Sequence, residues 1–135
     1  AVVKTIGDAV MAAFTDPAEA AAAALAIREA ITAFDDRFAR EHGVDSGLVV
    51  KLGVHAGPCI VVTLNDRLDY FGGTVNMAAR LQGQSAGGDI VLSRAVADDP
   101  AVRPLLAGLP SRAETVALKG FAEPVPFLRV LPASP

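Results

Sequence analysis

The stretch from Asp16 to Gly43 constrains the fold of this chain more than any other. Asp16 suits a helix cap and Pro17 the first helical position. Glu19 is placed to bond back from the third position, and Gly43 to end the helix. Between these signals Ile27, Ile31, Phe34 and Phe38 recur at spacings of four, three and four, which places them on one helical face. The stretch is therefore expected to form one long helix that covers a sheet. The alanine-rich run from residue 18 is interrupted by Glu19 and Arg28, so it reads as a helix in water and not as a membrane span.

The flanking segments supply strands. Residues 1–6 and 9–14 are short apolar runs separated by the turn signal Gly7-Asp8. Residues 48–55 and 59–64 read as β segments joined around Gly57-Pro58, and the polar link Asn65-Asp66-Arg67 leads into Asp69-Tyr70-Phe71-Gly72-Gly73. A short helix is expected over 74–82, with Val75, Ala78, Ala79 and Leu81 available for packing. After Gly87-Gly88 come a strand at 90–92, short helical pieces over 94–108, and closing strands near 114–119 and 126–131. The order ββαββαβ(α)ββ predicts an α+β fold, a mostly antiparallel sheet with helices packed on one face. The 135 residues amount to one domain, assigned to 1–131, with a frayed tail at 132–135.

Composition narrows the partners. A net charge of -3 without a basic run argues against nucleic acid, so any phosphate recognition has to come from a few placed residues. The single cysteine, Cys59, has no internal partner; it reads as a small apolar residue and fits a reducing, cytoplasmic setting. No stretch is apolar enough to span a bilayer. The chain opens on the strand-like Ala1-Val2-Val3, which suggests that sequence precedes it.

Three segments carry candidate chemistry, each with a plain alternative. In Lys4-Thr5-Ile6-Gly7-Asp8 an ammonium and a carboxylate flank a tight turn. A turn carboxylate can reach a hard cation such as Mg²⁺, and it is equally an ordinary hairpin aspartate. Asn76 and Arg80, four apart, share a helical face where amide and guanidinium suit a ribose and a phosphate, or simply meet solvent. Lys119, before Gly120, can offer an ammonium to an anion or stay solvated. His55 reads as a packed or hydrogen-bonded histidine, since no second histidine or cysteine stands at zinc spacing.

Taken in order, the segments VVKTIGDAVMAAF, KLGVHAGP, DYFGGTVNMAARLQ, GGDIVLS and LKGFAEPVPFLRV resemble the catalytic domain of class III adenylate and guanylate cyclases. The resemblance runs from Val2 to about Leu131 and implies the ferredoxin-like nucleotide cyclase fold. It also implies conversion of ATP to 3′,5′-cyclic AMP and pyrophosphate for intracellular signalling. Two Mg²⁺ or Mn²⁺ ions assist attack of the 3′-hydroxyl on the α-phosphorus. Asp8 matches a metal-binding aspartate, Lys4 and Asp69 the pair that reads the adenine ring, and Asn76 the residue that orients the ribose. Arg80 matches the arginine that stabilises charge on the phosphate, and Lys119 the lysine that holds the triphosphate. The implied site is composite, built at a head-to-tail homodimer interface and regulated by domains outside this chain. The strand bearing the family's other metal aspartate would precede Val2, so this segment alone is expected to be inactive. The alternative from another class is a non-catalytic cyclase-homology module that binds nucleotide or dimerises.

Overall fold

The computed structural model describes residues 2–58, 60–64 and 67–132; for Val2, Val3, Ile6 and the strand residues between 60 and 71 it describes the backbone course. The elements run β1 (Val2–Ile6), β2 (Ala9–Ala12), α1 (Pro17–His42), β3 (Leu52–Val54), β4 (Ile60–Leu64), β5 (Arg67–Phe71), α2 (Gly73–Gln82) and β6 (Ile90–Ser93). They continue as α3 (Arg94–Ala97), α4 (Arg103–Leu106), β7 (Ser111–Val116) and β8 (Val125–Val130).

Asp16, Pro17 and Gly43 act as expected at the ends of α1, while the Glu19 carboxylate accepts from the Thr15 hydroxyl at 3.4 Å. The Asp16 carboxylate accepts the Glu19 amide N–H at 2.9 Å, Pro17 opens the helix, and Gly43 closes it in the left-handed region at φ 71°. The turn between β1 and β2 places Gly7 at φ 60°.

The central sheet has the order β3-β6-β8-β7; β3 runs parallel to β6, and the other two pairings are antiparallel. β1 with β2 and β4 with β5 form antiparallel hairpins, so the α+β, mostly antiparallel expectation holds.

Three details depart from the sequence reading. The stretch Asp69-Tyr70-Phe71 that follows the polar link, not assigned as a strand from the sequence, belongs to β5, which begins at Arg67 and pairs with β4 in the register Val62↔Asp69. Its mixed composition hides a period that the pairing partner supplies. Second, helices cover both faces of the central sheet. Ile90 and Leu92 of β6 join Ala21 and Ala24 of α1 in one cluster, while Val91 joins Leu81 of α2 and Phe127 of β8 in another. Successive strand residues point to opposite faces, so the unbroken run Ile90-Val91-Leu92 requires apolar cover on each side.

Third, α1 meets the core through small residues. Ala21 and Ala24 are buried, while Ile27 and Phe34 of the predicted face are 43% and 36% exposed. Alanine lets the helix approach β3 closely, a contact that branched or aromatic side chains would hold off. The aromatic stripe instead packs along the helix itself, with Phe34 and Phe38 ring centroids 5.9 Å apart and Arg37 over Phe34. Among the described residues no helix is long and apolar enough to cross a membrane.

Candidate active site

The site is organised around α2, which follows β5 after Gly72 at φ 125°. Gly53 lets the end of this helix rest directly on β3. A Cβ at residue 53 would lie 2.3 Å from Gln82 N and 2.6 Å from Gln82 Cα, both main-chain atoms. At the other end of α2, the Thr74 hydroxyl donates to the Pro58 carbonyl. Next to that contact the β3–β4 connection carries His55, whose Nδ1 is hydrogen-bonded to Ser93 Oγ at 2.7 Å. Burial pushes the His55 pKa below its ordinary value.

Beyond Gln82 the chain turns back under a buried polar cluster. Asp89 is 1% exposed. Its carboxylate accepts hydrogen bonds from Ser85 Oγ, from the amides of Ala86 and Gly87, and from Arg129 Nη1. Burial pushes this carboxyl up, but the hydrogen bonds from Ser85, Ala86, Arg129 and Gly87 outweigh it and hold its pKa below the ordinary value. Arg129 also donates from Nη1 to the Gln84 carbonyl at 3.0 Å. It grips Glu114 from Nε at 2.6 Å and from Nη2 at 3.2 Å. The Arg129 bond, opposed by burial and helped by Arg112, likewise lowers the Glu114 pKa.

The six residues singled out in the sequence fall around this scaffold. Asp8 is exposed in the β1–β2 turn, and Lys4 is half-buried on β1 opposite Met11. β5 lies beside β1, which brings the strands of Lys4 and Asp69 together; the Asp69 side chain and Cys59 lie outside the described residues. Asn76 and Arg80 are both exposed on α2, one helical turn apart. Lys119 is exposed on a turn whose flanks are anchored. Leu118 is buried against Leu81 and Phe127, Phe121 packs on the same cluster with Met77, and the Phe121 amide donates to the Leu118 carbonyl at 3.1 Å. That cluster seats the Lys119 turn against α2. Among the described residues no group of three His, Cys, Asp or Glu gathers as a metal-ligand set. A lone exposed carboxylate fits one edge of a Mg²⁺ shell, whose remaining positions go to water and phosphate oxygens.

Residues 1–101 match the sequence profile of the adenylate and guanylate cyclase catalytic domain. The chain belongs to this cyclase family. An adenylate cyclase of Lachancea kluyveri is 39% identical over 107 residues, which cover 67% of this chain and 6% of that protein. This cyclase domain thus spans a small part of the length of that curated relative. Among solved structures, one from an analysis of adenylate cyclases of Trypanosoma brucei in their monomeric state superposes with a TM-score of 0.74 at 24% identity. It covers 96% of this chain and 68% of its own. The guanylate cyclase domain of a Catenaria anguillulae protein, solved with GTP, gives a TM-score of 0.70 at 24% identity, covering 98% and 72%.

The sequence reading passed over Gly53, Asp89, Glu114 and Arg129. The signal for Asp89 and Arg129 was present: an acid beside the apolar run Ile90-Val91-Leu92, and an arginine inside the apolar Phe127-Leu128-Arg129-Val130. Charges set in apolar strands are rarely buried unless paired with one another.

Proposed function

We propose that this cyclase domain converts ATP to 3′,5′-cyclic AMP and pyrophosphate. The 3′-oxygen attacks the α-phosphorus and the bond from that phosphorus to the β-phosphate bridge breaks. The observation that carries this reading is that Asn76 and Arg80 share the exposed side of α2, while apolar packing seats the Lys119 turn against that helix and β5 lies beside both α2 and β1. Lys4 donates to adenine N1 and Asp69 accepts from the 6-amino group. Guanine presents the reverse pattern and would leave both groups mispaired. Asn76 holds the ribose. The planar fork of Arg80 meets the charge that builds on the transferring phosphate, and Lys119 meets the triphosphate tail. Asp8 would contribute to holding Mg²⁺ or Mn²⁺, which when bound lowers the pKa of the 3′-hydroxyl and neutralises phosphate charge.

Asn76, Arg80 and Lys119 are exposed in the single chain, where water screens them. A second copy laid head to tail over this face would exclude that water and complete the site, so the working form is a homodimer. ATP as substrate places the reaction in the cytoplasm.

The test is to assay the full-length protein for cyclic AMP and cyclic GMP with Mn²⁺, beside Asp8→Ala and Arg80→Ala. Cyclic AMP formation lost in both variants is the expected result. Turnover unchanged by either substitution would overturn the assignment. A well-folded dimer without turnover would favour a non-catalytic, nucleotide-binding module.

A further inference from the structure

We infer that Arg129 is a positioning residue that sets α2 against the sheet and thereby places Arg80; the inference rests on the functional reading above. Arg129 sits on β8 opposite Val91, on the face of the sheet that α2 covers. Its guanidinium lies 5.5 Å from the Phe127 ring centroid, and its side chain is 12% exposed.

From there it reaches three elements at once. The Gln84 carbonyl lies two residues past the end of α2, and Asp89 stands just before β6. Glu114 belongs to β7. Asp89 in turn receives the amides of Ala86 and Gly87, so the guanidinium binds both the Gln84 carbonyl and the carboxylate that organises the exit turn of α2. Gln84 is four residues, one helical turn of chain, beyond Arg80.

Thr74 holds the start of α2 to the Pro58 carbonyl and the Gly88 amide reaches the Val50 carbonyl at 3.4 Å, but neither bond is made by a residue within two positions of the end of α2, where Gln84 O meets Arg129. Gly53 under Gln82 limits how closely α2 can approach β3, but nothing in that contact stops it from lifting away. The apolar contacts of Leu81 are non-directional and tolerate a slide or a small rotation. A planar donor with fixed directions to Gln84 O and to two carboxylates tolerates neither. An ammonium at the same position could serve one of these acceptors but not all three.

The experiment combines amide exchange with steady-state turnover, both on the full-length protein. Both are measured for Arg129→Met, for Arg129→Lys, and for each in an Arg80→Lys background that keeps measurable turnover. Exchange at residues 83–88 is expected to speed up in both single variants, less in Arg129→Lys. Turnover is expected to fall by roughly 10- to 100-fold in Arg129→Met, the loss typical of an ångström-scale misplacement. In the Arg80→Lys background the same substitution should change turnover by less than about threefold, because the group it positions is already altered. A merely structural role would lower the active fraction equally in both backgrounds, and equal losses would overturn the inference while leaving the proposed function standing. Turnover of Arg80→Lys alone equal to wild type would overturn the site assignment itself, and the inference with it. Should Arg129→Met fail to fold, Arg129→Lys carries the same comparison.

Discussion

Gly53→Ala is the sharpest single test of how α2 is seated. The backbone at residue 53 lies outside the left-handed region, so alanine can adopt it without strain and space alone decides the outcome. Relieving a strand glycine where there is room stabilises by about 0.4–1 kcal/mol, through the unfolded chain. Here the new Cβ would stand 2.3 Å from Gln82 N, whereas ordinary contact begins at 3.4 Å, so the end of α2 must retreat by about 1.1 Å. The obstructing atoms are main chain and cannot swing aside as a side-chain tip would. Overpacking of this kind costs about 1–3 kcal/mol, which for a chain of this size lowers the melting temperature by roughly 4–12 °C. In the full-length protein the same shift displaces Arg80, two residues before the contact, and turnover should fall about 100-fold. Urea unfolding of the 135-residue chain reads the stability as a lower midpoint at unchanged slope. A Gly53→Ala chain as stable as wild type, or more stable, would refute the close approach of α2 to β3 and the argument built on it.

Asp89→Asn leaves the largely buried Arg129 with one carboxylate partner, Glu114, and should destabilise by about 3 kcal/mol in denaturant titration. The folded pKa values of Asp89 and Glu114 lie below their ordinary values of 3.8 and 4.5, so their joint contribution is present above those ordinary values and is lost as pH falls through the folded ones; Asp89→Asn should flatten that acid limb. His55 is a base whose folded pKa is lowered, so the unfolded state takes the proton first. Its contribution is full above about pH 6.5 and is lost as pH falls below that, which stability measured at pH 8, 6.5 and 5 for wild type and His55→Gln would show. Asn76→Ala and Arg80→Ala remove exposed side chains, so each should change stability by less than about 0.5 kcal/mol while lowering turnover by roughly 100- to 1,000-fold.

The ends of α1 were legible in the sequence because they rest on local chemistry: Asp16 bonds an amide three residues on, and Gly43 takes a conformation that other residues resist. The face of α1 was not legible. Ile27 and Phe34 carry the strongest apolar signal, yet burial went to Ala21 and Ala24, because closeness to β3 matters more there than apolar area. β5 escaped for a related reason, since a strand such as Arg67-Leu68-Asp69-Tyr70-Phe71 has little pattern of its own until β4 lies beside it. The candidate site divides along the same line. Lys4, Asp8, Asp69, Asn76, Arg80 and Lys119 stand in short motifs that can be read residue by residue. The residues that hold those motifs together are scattered from Gly53 to Arg129 and have no shared spacing.

What the amino-acid sequence determined alone is the family, the order of elements apart from β5, and the short polar motifs proposed to meet a nucleotide. These follow from interactions within a few residues of one another. Only the tertiary structure decided that the sheet is covered on both faces, that α2 rests on a bare backbone at Gly53, and that one guanidinium on β8 joins its exit turn to Asp89 and to Glu114 of β7. Packing and buried ion pairing act between residues distant along the chain, and their partners are set when the layers close.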